Sequence, residues 1–88
     1  MSQYTVKIKN SAKRDLKKLK QSNLKANFLE IIATLKENPY APTQSFEKLT
    51  PPSAGFYSRR LNSQHRVVYT IDQATHEVLI YAAWSHYN

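Results

Sequence analysis

The chain has 88 residues, with 13 lysines and arginines against 6 aspartates and glutamates, a formal charge of +7 at pH 7. That length allows a single domain, residues 1–88, and excludes a multidomain enzyme; a chain this short buries about 60% of its unfolded surface, which leaves room for a shallow groove but not for a deep cofactor pocket. The absence of cysteine excludes disulfides, thiolate metal sites and cysteine nucleophiles.

In chain order, Tyr4 to Ile8 alternates β-branched and polar residues and predicts a first strand. Ser11 is placed to cap a helix whose apolar residues Ala12, Leu16 and Leu19 share one face, leaving Lys13, Arg14, Lys17, Lys18 and Lys20 outside. After a break at Ser22 and Asn23, residues Leu24, Phe28, Ile31, Ile32 and Leu35 mark a second amphipathic helix, which must end near Asn38 because Pro39 disfavours α geometry before it. The segment PYAPTQSFEKLTPP holds all four prolines and predicts a stiff extended connection, with a short strand between Phe46 and Leu49. Beyond Gly55, FYSRRLN and HRVVYTI flank a Ser63–Gln64 turn, and Val78 to Trp84 follows a turn at Asp72 to His76, an antiparallel meander. Strand alternation puts Val67, Tyr69 and Ile71 on one face, and Val78, Ile80, Ala82 and Trp84 on one face of the next strand. The fold class is therefore α+β, an N-terminal strand and helical hairpin packed on a mostly antiparallel sheet.

The charge is not spread evenly. Residues 1–25 hold eight bases and one acid, Asp15, whereas residues 26–88 hold five of each. Such a concentration fits a polyanionic partner, whether nucleic acid, an anionic membrane surface or an acidic protein segment; it also fits a solvated helix face, and charge alone does not choose. No apolar stretch approaches the length of a membrane span and MSQYTVKIKN has no signal-peptide core, so the chain reads as soluble and cytoplasmic.

With one glycine there is no phosphate-cradling glycine loop, and no HExxH or EF-hand pattern occurs. His65, His76 and His86 lie too far apart in sequence, without clustered carboxylates, to suggest a metal site, so neither metal nor cofactor is expected. What remains is Glu47, Arg59, Arg60, Arg66 and the terminal His86–Tyr87. Cleaving RNA without metal needs a base for the 2′-OH, cations on the scissile phosphate and an acid for the 5′-oxygen, which one carboxylate, one imidazole and a few arginines can supply. Arg60 and Arg66 flank the base of a short hairpin, where two guanidinium groups would welcome a phosphate. Each residue also has a plainer reading. Glu47 beside Lys48 is an ordinary surface pair; one of Arg59 and Arg60, which alternate faces, can pair with Glu30, Glu37 or Asp72; His65 and His76 read as solvent-exposed turn residues; Tyr81 and Trp84 read as sheet packing.

The segments FEKL, GFYSRRLNSQHRVVYTI and AAWSHYN, in that order, resemble the YoeB branch of the RelE toxin family of bacterial toxin–antitoxin systems, and the resemblance covers nearly the whole chain. It implies a ribosome-dependent mRNA endoribonuclease that cuts the message in the ribosomal A site, neutralised by a YefM-type antitoxin, and it allows a homodimer. By motif it implies Glu47 as general base, Arg66 as the cation stabilising the phosphorane, His86 as general acid, Arg60 on the phosphate, and Tyr87 beside the nucleotide; Arg59 is a further candidate for the phosphate. Two departures stand out. Some relatives carry a lysine where this chain has Thr50, so that Lys48 either substitutes for it or that interaction is missing, and Asn88 follows the tyrosine on which the family pattern ends. The helix bearing Lys13, Arg14, Lys17, Lys18 and Lys20 becomes the docking face for ribosomal RNA. Two other readings stay open: a non-enzymatic ParE-like inhibitor of DNA gyrase, which needs no such residue set, and a plain RNA- or ribosome-binding module.

Overall fold

The computed structural model describes the backbone of residues 3–86 and the side chains of residues 3–84. It contains β1 (Thr5–Ile8), α1 (Asn10–Lys20), α2 (Lys25–Glu37), β2 (Glu47–Lys48), a 3-10 turn (Pro52–Ala54), β3 (Phe56–Arg60), β4 (His65–Asp72) and β5 (Glu77–His86). The five strands form one sheet in the order β1-β5-β4-β3-β2, antiparallel except for the parallel β1–β5 edge pair. This is the expected α+β architecture, with every expected element present.

The helices cover one face. Ala12 and Leu19 of α1 and Phe28, Ile31 and Leu35 of α2 are buried against Val67, Tyr69, Val78, Ile80 and Ala83 of the sheet. Fully burying an aliphatic side chain of this size contributes about 1.5–3 kcal/mol, so this interlocked layer is the main source of stability in a chain without disulfides. The other face carries no helix, and half-buried Phe56, Val68, Thr70, Leu79 and Tyr81 lie on it.

Three local expectations are corrected. Ser11 is not the cap: α1 begins two residues earlier than that cap implies, its N-cap is Lys9 without a side-chain cap bond, and the Ser11 hydroxyl donates instead to Tyr81 O at 3.5 Å. His65 is not an exposed turn residue. It shares the inward alternation of Val67 and Tyr69, is only 7% exposed, and stacks on Trp84 with ring centroids 4.2 Å apart. His76 is exposed as expected, in the left-handed region at φ 55° and stacked on Tyr4.

The third correction concerns β5, where alternation does not run unbroken from Val78 to Trp84. Tyr69 pairs with Ile80 but Val68 pairs with Ala82, and Arg66 pairs with Ser85, so two extra residues enter β5 between Ile80 and Ser85. An extra residue inverts the alternation. Ala83 is therefore the buried residue, while Ala82 and Trp84 are half-buried. A bulge takes an N–H out of the ladder, and here Asp15 Oδ2 of α1 accepts the Ala83 N–H at 3.0 Å. The single acid of the basic N-terminal quarter thus ties α1 to the bulge.

Candidate functional site

The prolines that stop α2 send the chain back along the far edge of the sheet, where β2 pairs with β3: Glu47 lies opposite Ser58 and Lys48 opposite Tyr57. In β3–β4, Ser58 lies opposite Val68 and Arg60 opposite Arg66. Directly opposed residues share a face, and residues two apart on a strand do too. Glu47, Ser58, Arg60 and Arg66 therefore all lie on the helix-free face, with Glu47 on a diagonal of about 7–8 Å from Arg60.

The Arg60 N–H donates to Gln44 O at 2.8 Å rather than across to β4, while the Leu61 N–H donates to His65 O at 2.9 Å. Arg60–Arg66 is thus a non-hydrogen-bonded pair, in which the Cα atoms come closest, about 4.5 Å. Arg60 is exposed and Arg66 half-buried. Beyond Arg66 the ladder continues to β5, where the backbone of His86 pairs with His65 and Ser85 with Arg66. Glu47, Arg60, Arg66 and the His86 backbone thus come from four adjacent strands at one end of the sheet. The side chain of His86, and Tyr87 altogether, lie outside the described residues.

Two members of the expected phosphate-binding set are elsewhere. Lys48, one residue on from Glu47, faces the other side of the edge strand, its Nζ 5.7 Å from the centre of the Tyr57 ring. It does not join Glu47 on the arginine face. Arg59 faces the core and is fully buried. A guanidinium stays charged, so its burial requires acceptors for its donors. Nε donates to Tyr69 Oη at 3.0 Å; Nη2 donates to Pro39 O at 2.8 Å and Ala41 O at 2.9 Å; Nη1 donates to Thr43 O at 2.8 Å, with longer contacts to Thr43 Oγ1 and Gln44 Oε1. Tyr69 Oη in turn donates to Pro39 O at 3.2 Å, and burial pushes its phenol up to about 12 against the opposing pull of Arg59. Arg59 is spent on the fold, not on a phosphate.

Ser58 was missed from sequence. It is fully buried between Glu47 and Val68 on the site face, and its Oγ has no hydrogen-bond partner among the described residues. Its position two residues before Arg60 on the same strand was the available signal. Lys13, Arg14, Lys17, Lys18 and Lys20 are all exposed along α1. No described helix is long and apolar enough to cross a membrane, and among the described residues no three His, Asp or Glu side chains come together as metal ligands would.

A strand, a helical hairpin and a mixed sheet with an arginine-bearing face opposite the helices define a small RelE-like toxin fold. Residues 8–87 match the profile of the YoeB-like toxins of bacterial type II toxin–antitoxin systems. A curated relative, Toxin YoeB of Synechocystis sp., is 37% identical over 73 residues, which cover 83% of this chain and 76% of the relative. Among solved structures, the YoeB dimer from Staphylococcus aureus superposes with a TM-score of 0.81 at 27% identity, covering 97% of this chain and 99% of that one. YoeB in the heterotetrameric YoeB–YefM complex from the same organism gives a TM-score of 0.77 at 28% identity, covering 96% and 98%. The chain belongs to the YoeB-like toxins and is a toxin of a type II toxin–antitoxin system.

Proposed function

We propose that this toxin is a ribosome-dependent mRNA endoribonuclease that cuts the message in the A site by acid–base transesterification. The observation that carries the reading is the cross-strand row of Glu47, Arg60 and Arg66 on the helix-free face; the role of His86 rests on the family resemblance. Glu47 takes the 2′-OH proton as the 2′-oxygen attacks phosphorus. The P–O5′ bond breaks, His86 gives its proton to the departing 5′-oxygen, and a 2′,3′-cyclic phosphate remains. Arg66 and Arg60 hold the charge that develops on the phosphorane oxygens. Tyr87 is assigned to the bound nucleotide.

An open sheet face holds a flexible RNA less firmly than an enclosed cleft, which supports a requirement for the ribosome to orient the message. The exposed cations of α1, Lys13, Arg14, Lys17, Lys18 and Lys20, are assigned to ribosomal RNA. The solved structures of a YoeB–YefM complex and of a YoeB dimer support a YefM-type antitoxin as partner and allow a homodimer.

The test is cleavage of mRNA on a programmed ribosome with mapped ends. Wild-type protein is expected to leave a cyclic phosphate, and Glu47→Ala and His86→Gln to slow cleavage about 10²–10⁴-fold while ribosome binding persists. A message left intact by wild-type protein overturns the reading. Gyrase inhibition with no RNA cut would replace it with the ParE-like one, and variants cutting like wild type would withdraw the two assigned roles.

A further inference from the structure

Arg59 holds the segment that ends in Glu47. Its guanidinium grips the carbonyls of Pro39, Ala41 and Thr43, so that the whole approach to β2 is folded around one side chain. Its Cζ also lies 4.8 Å from the centre of the Phe46 ring, which stacks on Tyr57 at 5.5 Å. Phe46 is thereby kept on the inner side. Alternation then puts Glu47 on the arginine face and Lys48, also exposed, on the Tyr57 side of the edge strand.

The register of β2 is not given by its own length, because β2 has only two residues. Alongside β3, the chain advances three residues from Gln44, which accepts the Arg60 N–H, to Glu47, which pairs with Ser58, whereas β3 advances only two. The surplus is absorbed at Gln44 and Ser45, both in the left-handed region at φ 55°. Residues with a Cβ disfavour that conformation and hold it only where the surroundings impose it. The surroundings here are Arg59 Nη1, which binds Thr43 O and contacts Gln44 Oε1, and the Arg60 N–H on Gln44 O. A slip of one residue would exchange Glu47 for Lys48 on the arginine face.

We infer that Arg59 is the positioning residue for Glu47: by clamping residues 39–44 it sets the register of β2, so that a carboxylate rather than an ammonium meets the Arg60–Arg66 pair. The inference rests on the catalytic reading of Glu47 given above. Lysine keeps the charge at position 59 but has neither the fork nor the number of donors to hold the same carbonyls.

The experiment compares wild type, Arg59→Lys and Gln44→Ala by single-turnover cleavage on programmed ribosomes, with ribosome concentration varied, alongside amide exchange of the free protein. For Arg59→Lys the maximal rate per folded molecule is expected to fall by about 10–100-fold, since a 1 Å misplacement costs about that much, with half-saturation unchanged within about twofold. Amides of residues 46–49 should lose protection while those of β4 and β5 keep it. Gln44→Ala, which leaves the buried guanidinium in place, should show a smaller loss with the same pattern, and it decides the matter if Arg59→Lys does not fold. A wild-type maximal rate in folded Arg59→Lys, or protection lost evenly across the sheet in the variant that folds, overturns the inference. A wild-type protein that does not cut overturns the catalytic reading instead, and the exchange pattern then judges the β2 register alone.

Discussion

Arg60 and Arg66 face one another across β3 and β4 as a non-hydrogen-bonded pair, the cross-strand arrangement that brings side chains closest. Like charges so placed cost stability, typically about 0.2–1 kcal/mol. On the proposed reading, the phosphate of the message sits between them and offsets that cost. Arg60→Gln and Arg66→Gln are therefore each expected to slow cleavage on programmed ribosomes, and rates equal to wild type would withdraw the pair from phosphate binding.

Asp15 gives a second expectation. Its carboxylate accepts the Ala83 N–H at the β5 bulge, a charge-assisted bond whose removal leaves that donor stranded beside a fully buried residue. Asp15→Ala is expected to cost about 1.5–3 kcal/mol in chemical denaturation, and Asp15→Asn, which keeps an acceptor oxygen, clearly less. Equal losses would mean that the negative charge among the α1 lysines matters more than the bond.

Alkaline stability should report on Tyr69. Burial raises its phenol from 10.0 to about 12, with Tyr57 and Tyr40 adding to the rise and Arg59 opposing it. The folded state keeps its proton where the unfolded chain has lost it, so the stability is complete below pH 10 and is lost between pH 10 and about 12. Tyr69→Phe should remove that part of the alkaline loss. At neutral pH it should cost about 1–3 kcal/mol, because Arg59 Nε and Pro39 O lose a partner. Denaturation midpoints followed from pH 8 to 12 check both.

On the proposed reading, the basic face of α1 is separable from the chemistry. Lys17 and Lys18 are exposed and make no contribution to the buried layer, so Lys17→Gln with Lys18→Gln should leave folding stability within about 0.5 kcal/mol. Ribosome affinity should fall, and the slope of log affinity against log salt should become shallower by about 1–2, since each phosphate that a lysine no longer neutralises removes about one unit or slightly less. Unchanged affinity and slope would return this helix to a solubility role.

Much of this protein was legible from sequence because its signals are local. Apolar spacing marked α1 and α2, alternation and turn residues marked β3 to β5, and the charge excess showed its confinement to residues 1–25 whatever the packing. Alternation also established that Arg59 and Arg60 lie on opposite faces, but not which of them is buried. That depended on the 39–46 segment folding back over β3 and offering its carbonyls to Arg59, an interaction between residues about twenty apart. The same holds for Glu47 and Lys48, for His65, drawn inward by strand parity and the Trp84 ring, and for the β5 bulges, stabilised by Asp15 from 68 residues away. Period-two patterning is blind to which face is covered and to an inserted residue. The tertiary structure decided both, because only there do the carbonyls, rings and carboxylate that settle each alternative come within reach.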